Sequence, residues 1–189
     1  LRDFKRVERG DEVFRVICAG GATIRKGFHY LLEAMMMLEH LDIELWHLGI
    51  VSGEMRPFIS KFGAKNVTFK GHVSQNALYR HYSQGNVFAL PSLEEGLAMV
   101  QLQAMACELP LIVTENAGIG PLLEEGDNGY IVPVRSASHI AEKLEFFYHN
   151  RDLARRMGKN AADSVRLQGY TWDDYGARYE AFLKVVSST

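Results

Sequence analysis

Six short apolar runs, interleaved with stretches of helical spacing, constrain what this chain can fold into more tightly than any other feature. The runs fall at residues 13–19, 43–48, 67–69, 87–90, 111–113 and 130–132. Several are continuous rather than alternating, the pattern of strands buried on both faces of a parallel sheet. Between the first two, Phe28, Leu31, Leu32, Met35 and Leu38 repeat at helical spacing over 26–38. Further helices are predicted at 74–82, opening on Ser74 as a cap, at 97–107, from Ser136 through Phe147, and over 152–167. The last helix opens at Thr171-Trp172-Asp173-Asp174, where a Thr cap and two acids suit the positive helix end. The Met35-Met36-Met37 run reads as helix packing. Strand–helix alternation of this kind predicts an α/β fold. Its form is a doubly wound, mostly parallel, six-stranded sheet of Rossmann-like type, with helices on both faces and right-handed crossovers.

No internal repeat or linker interrupts the pattern, and 189 residues fit one domain, so 1–189 read as a single unit. A chain of this length buries enough surface to need no disulfide or metal staple. The 47% hydrophobic and 23% charged residues exclude disordered, collagenous and low-complexity classes. A net charge of −2 argues against a dedicated nucleic-acid binder, which carries a basic face. No apolar run approaches the roughly 20 residues of a membrane span. The start, Leu1-Arg2-Asp3-Phe4-Lys5-Arg6, lacks a signal-peptide core and an initiator Met, so the chain is expected to be a piece of a longer protein. Cys18 and Cys107 lie in apolar surroundings and read as buried small hydrophobes in a reducing cytoplasm.

In a doubly wound sheet, ligands sit beyond the carboxyl ends of the strands, in the loops that lead into helices. The first such loop is Gly20-Gly21-Ala22-Thr23-Ile24-Arg25-Lys26-Gly27. Adjacent glycines let backbone approach a bulky anion, the helix start supplies N–H groups, and Arg25 and Lys26 add full charges. It matches neither a Walker A loop nor G-x-G-x-x-G, so a tight turn with solvated basic residues stands as the alternative. The second loop runs from Pro91-Ser92 through Glu95-Gly96 into the helix that carries Gln103-Ala104-Met105-Ala106. Glu95 and Gly96 sit at the helix mouth, where the N–H groups of Leu97, Ala98 and Met99 are expected to be open. Gln103 has only Met99, Val100, Ala106 and Cys107 as helical neighbours, so its amide needs a partner or costs roughly 1–3 kcal/mol. That partner is either a bound hydroxyl or the backbone. The third loop, Glu115 to Pro121, offers Gly118 and Gly120 for close approach, or is a plain turn. Gly126-Asp127-Asn128-Gly129 reads as a hairpin-like turn without function. Together the loops suit a diphosphate carrying a polyhydroxyl group, a nucleotide-sugar more than a bare nucleotide.

The chain resembles the C-terminal, donor-binding domain of the family 4 retaining glycosyltransferases (glycosyl transferases group 1), which have the two-domain GT-B architecture. The resemblance covers nearly the whole chain. It rests on Arg25-Lys26-Gly27, Val67-Thr68-Phe69-Lys70-Gly71, Pro91-Ser92 with Glu95-Gly96 and Gln103-Ala104-Met105-Ala106, Leu109 to Thr114, Asn128 to Pro133, and Trp172. It implies that Lys26 binds the donor diphosphate, to which the reading of the first loop adds Gly20, Gly21 and Arg25. It implies that Glu95 touches hydroxyls of the transferred sugar, helped by the backbone of Gly96, Leu97, Ala98 and Met99, with Gly118 nearby. Lys26 and Glu95 are thus the expected catalytic residues. Gln103 stands where the family's second Glu holds the ribose hydroxyls, and Gly71, His72 and Val73 fall where the base is contacted. Gly21 stands where many members have an Arg, and Ala117-Gly118-Ile119-Gly120-Pro121 lacks the usual acid.

The resemblance further implies transfer of a sugar from a nucleoside diphosphate donor with retention of anomeric configuration. The acceptor, a glycan, lipid or small molecule, would be bound through an N-terminal domain absent from this sequence, against which the helix from Thr171 would dock. Without that domain the fragment is expected to be inactive. No cofactor and no metal are expected: the seven histidines form no ligand set, and Asp173-Asp174 reads as capping. The full-length protein is expected to be cytoplasmic or peripheral at the inner face of the membrane. A non-catalytic nucleotide-binding module and a sugar-nucleotide epimerase of the same architecture are the alternatives, and the Pro-Ser to Ala-Met-Ala pattern favours the transferase.

Overall fold

The computed structural model describes residues 1, 3–63, 65–167 and 172–187. Six strands form one sheet: β1 (Phe14–Ala19), β2 (Ile43–Leu48), β3 (Val67–Phe69), β4 (Val87–Leu90), β5 (Leu111–Thr114) and β6 (Gly129–Val132). Their order is β3-β2-β1-β4-β5-β6 and every pairing is parallel, which is the expected doubly wound α/β architecture. The order reverses between β1 and β4, so the ligand crevice of such a sheet is expected beside the loops that follow these two strands.

The continuous apolar runs are explained by burial on both sides. Phe14, Val16 and Cys18 of β1 point into one cluster with Val87 and Ala89 of β4. Ile17 and Ala19 join the other cluster with Phe88 and Leu90. The first cluster is closed by α1 (Phe28–Met37), α2 (Arg56–Phe62) and α5 (Ala137–His149). The second is closed by α3 (Leu78–Tyr82), α4 (Met99–Ala106) and α6 (Arg151–Leu167), and α4 packs against α6. A last helix, α7 (Trp172–Ser187), leaves Phe182, Val185 and Val186 exposed.

Several boundaries differ from the sequence expectation, each for a local reason. Helix α1 starts at Phe28 because Gly27 takes a left-handed conformation, φ 64°. Ser74 does not cap α3: its hydroxyl donates to Asn76 Oδ1 at 2.7 Å, inside a turn that precedes the helix by one residue. Helix α4 begins at Met99 rather than Leu97, since Ala98 is extended. Ser136 does cap α5, accepting from the His139 N–H. Helix α2, with Pro57 in its first turn, has no counterpart among the helices expected from the sequence. Of the three consecutive methionines only Met35 is buried, while Met36 and Met37 are exposed. The Thr171 cap lies outside the described residues. The turn at 126–129 leads into β6, which runs parallel to β5, so it closes no hairpin. Both cysteines are buried and free, and burial pushes their thiols up to about 12. They are inert, as the sequence indicates.

The amino end of the sheet is tied by arginines. Arg6 donates to the carbonyls of Gly85 (3.2 Å), Glu108 (3.3 Å) and Cys107 (3.5 Å). Arg9 donates to Asn86 Oδ1 at 2.7 Å, and Asn86 Oδ1 also accepts from the Arg15 N–H. The buried Arg15 side chain pairs with Glu44 at 3.0 Å and lies 4.0 Å from the Trp46 ring centroid.

Within α6, Gly158 faces the carbonyl of Glu108 so closely that an added Cβ would overlap it. Alanine in place of a helical glycine ordinarily stabilises by roughly 0.5–1 kcal/mol. Here the sign is expected to reverse: Gly158→Ala should lower unfolding stability by about 1–3 kcal/mol through overpacking, read as a lower denaturant midpoint.

Candidate functional site

The loops after β1, β4 and β5 are drawn together by backbone. Gly27 approaches Pro91 so closely that a side chain at 27 would overlap the Pro91 carbonyl oxygen, and the Leu93 N–H donates to the Arg25 carbonyl at 2.8 Å. The loop after β5 is joined the same way. A Cβ on Gly118 would overlap the Gly96 carbonyl, the Glu95 N–H donates to Asn116 O at 3.0 Å, and Asn116 Nδ2 donates to Leu93 O at 3.0 Å. Thr114 Oγ1 donates to the Ser92 carbonyl beneath them.

This convergence brings the two expected catalytic side chains into contact. Lys26 Nζ lies 2.6 Å from Glu95 Oε1, with both side chains mostly shielded from water. Arg25 Nη1 stands 3.5 Å from the same oxygen and donates to the Glu94 carbonyl at 2.8 Å. Ser92 Oγ donates to Glu95 Oε1 at 3.5 Å. The Lys26 stem passes along Gly20, and the Lys26 N–H is held by Thr23 Oγ1 at 3.1 Å.

Two hollows flank the pair. One, of about 290 Å³, is lined by Gly20 and Gly21 on one side and by His72, Val73 and Leu78 on another, with Val100 at its edge. The other, of about 440 Å³, is lined by Glu94, Glu95, Glu115, Asn116 and Gly118. Among the described residues, the N–H groups of Gly96, Leu97, Ala98, Met99 and Val100 find no acceptor, so the segment entering α4 presents open donors, as expected. The arrangement offers cations and backbone donors to an anion beside a carboxylate able to accept from hydroxyls. Gly71 has a positive φ, 68°, with open space around it.

Gln103 sits deeper. It lines neither hollow, is 6% exposed, and its Oε1 accepts from the Tyr82 hydroxyl at 3.3 Å, so its partner is a side chain rather than the bound hydroxyl or backbone expected from the sequence. Burial raises the Tyr82 phenol, which keeps it a neutral donor. Sequence reasoning missed Thr23, Ser92 and Asn116, which fix Lys26, Glu95 and the second loop respectively. Ser92 lies inside a noted motif, whereas nothing in the pattern marks Asn116. It also missed His47 on β2, whose Nε2 lies 2.9 Å from the Gly20 carbonyl. No group of three or more His, Cys, Asp or Glu able to hold a metal occurs among the described residues. No described helix is long and apolar enough to cross a membrane.

Comparisons with known proteins bear on the family and the fold. The sequence model of the family described as Glycosyl transferases group 1 matches residues 2–164. The Alpha-D-kanosaminyltransferase of Streptomyces kanamyceticus is 30% identical over 78% of this chain and 39% of its own length. The chain spans less than half the length of the curated relatives it matches. Among solved structures, the C-terminal domain of a group 1 glycosyl transferase (LpcC) from Francisella tularensis aligns with TM-score 0.74 at 22% identity, over 84% of this chain and 87% of that one. Anabaena Alr3699/HepE in complex with UDP-glucose aligns with TM-score 0.78 at 19% identity, over 93% of this chain and 49% of that one.

Burial pushes the His47 imidazole down to about 4 from its ordinary 6.5, so it stays neutral in the folded protein while an unfolded chain protonates it. Between these values the unfolded state holds more protons, so stability falls as pH drops. A separation of that size is worth roughly 3 kcal/mol. Denaturant titrations from pH 7 to pH 4 should show this loss, and His47→Leu should lose markedly less over the same range.

Proposed function

The chain belongs to the glycosyl transferases group 1 family, and on that premise we propose that it is the nucleotide-sugar donor-binding, C-terminal domain of a retaining glycosyltransferase of family 4. What carries the reading is the contact between Lys26 and Glu95. The cation expected at the diphosphate and the carboxylate expected at the sugar meet in one cleft, between the two hollows. The hollow beside Gly20, Gly21, His72 and Val73 suits a nucleoside, and the one beside Glu95 and Gly118 suits a hexose. The UDP-glucose in complex with the Anabaena protein is of the same ligand class.

In this reading the bond from the anomeric carbon to the β-phosphate oxygen breaks, and negative charge grows on the departing diphosphate. Lys26, Arg25 and the open N–H groups at the entry to α4 stabilise that charge where it develops, which is where electrostatic donors accelerate a reaction most. No metal is required. Glu95 orients the sugar by accepting from its hydroxyls, and the acceptor hydroxyl attacks the same face of the anomeric carbon that the diphosphate leaves, its proton passing to the departing diphosphate oxygen. The acceptor, a glycan, lipid or small molecule, binds through an N-terminal domain outside this sequence, and the full protein works in the cytoplasm or at the inner face of the membrane. Gln103, whose oxygen already accepts from Tyr82, keeps its amide nitrogen and a second oxygen lone pair for a ribose hydroxyl.

Thermal-shift measurements with UDP, GDP and ADP test the donor site directly. At 100 times its dissociation constant a ligand stabilises by about 2.7 kcal/mol. For a domain of this size that raises the melting temperature by roughly 5–10 °C. One of the three nucleotides should produce that shift, and its absence with all three would refute the reading. In the full-length enzyme, Lys26→Ala should lower turnover by about 10²–10³ with the fold intact, measured as sugar transferred per unit time.

A further inference from the structure

Two glycines in a row leave the peptide between Gly20 and Gly21 free to turn over, since neither residue has a Cβ to favour one orientation. The structure holds it in one. His47 Nε2 lies 2.9 Å from Gly20 O, and the Gly20 φ is 107°. Gly49 closes against the same carbonyl, leaving no room for a side chain at 49. Peptide planarity sets the Gly21 N–H antiparallel to that carbonyl, away from His47. Gly21 is exposed, lines the hollow of about 290 Å³, and its N–H finds no acceptor among the described residues.

We propose that His47 is a positioning residue that locks the Gly20–Gly21 peptide so that the Gly21 N–H faces the diphosphate of a bound nucleotide. The proposal rests on the donor-site reading above. The ring is 1% exposed, wedged against Phe28 at 4.7 Å and Phe69 at 5.9 Å between centroids. Its Nδ1 has no partner, so the proton belongs on Nε2, the tautomer that donates to the carbonyl. Neutrality of the buried ring keeps that tautomer in place at physiological pH. His47 lines neither hollow and acts only through the peptide it holds.

The test uses the 189-residue chain with ¹⁵N labelling. His47→Leu and His47→Met remove the hydrogen bond and keep bulk, so one serves if the other does not fold, while His47→Gln returns an N–H near the position of Nε2. UDP, GDP and ADP are titrated by calorimetry, and the Gly21 amide resonance is followed without ligand. Expected is about tenfold weaker nucleotide binding in the two apolar variants, the size of one lost hydrogen bond, with recovery in His47→Gln. The Gly21 resonance should move in the apolar variants and return in His47→Gln. Equal affinity in the parent and a folded apolar variant, or a Gly21 resonance that does not move, overturns the proposal. If the parent binds none of the three nucleotides, the donor-site reading falls and takes the ligand half of the proposal with it. The resonance comparison then still decides whether His47 sets the peptide.

Discussion

Everything at the carboxyl end of the sheet depends on how closely two stretches of backbone meet. The loops after β1 and β4 leave neighbouring strands and would splay apart if either carried a side chain at their crossing. Gly27 removes that obstacle, and the hydrogen bond from Leu93 to the Arg25 carbonyl fixes the register. Once the loops touch, the side chains of residues 26 and 95 have little choice but to meet. The loop after β5 repeats the device with Gly118 against the Gly96 carbonyl. The site is therefore a product of main-chain packing first and of side-chain chemistry second.

The ion pair at its centre is better judged as arrangement than as stability. A partly buried pair gains Coulomb energy but gives up hydration of both charges, and the balance is often near zero. Arg25 and Ser92 crowd the same carboxylate oxygen, so Glu95 is held by three groups from two loops. Such convergence fixes the direction of the carboxylate without requiring it to stabilise the fold.

The fold was legible because burial on both faces writes itself as continuous apolar runs, as in β1, β4 and β5, and the shorter or interrupted runs of β2, β3 and β6 still fall where those strands are. Helix starts were less legible, because they turn on single backbone conformations. Ala98 in extended form and Gly27 in left-handed form each delay a helix by two residues, and no periodicity reveals that. Lys26 and Glu95 could be named from the loop positions and the family motif, yet their mutual contact could not, since it follows from a crossing of loops 69 residues apart in sequence, as the Arg25 to Glu94 bond is. His47 was invisible for a different reason. In a strand of alternating burial it reads as one more core residue, and only coordinates show which carbonyl it holds.

The arginine ties at the amino end of the sheet bear on how such a molecule can change over time. Arg6, Arg9 and Arg15 anchor the leading segment and the neighbouring turns to carbonyls and carboxylates there, at the far end of the strands from the cleft. That footing shares no side chain with the loops of the proposed donor site. Substitutions that retune recognition can thus accumulate at one pole of the domain while the opposite pole keeps the architecture upright.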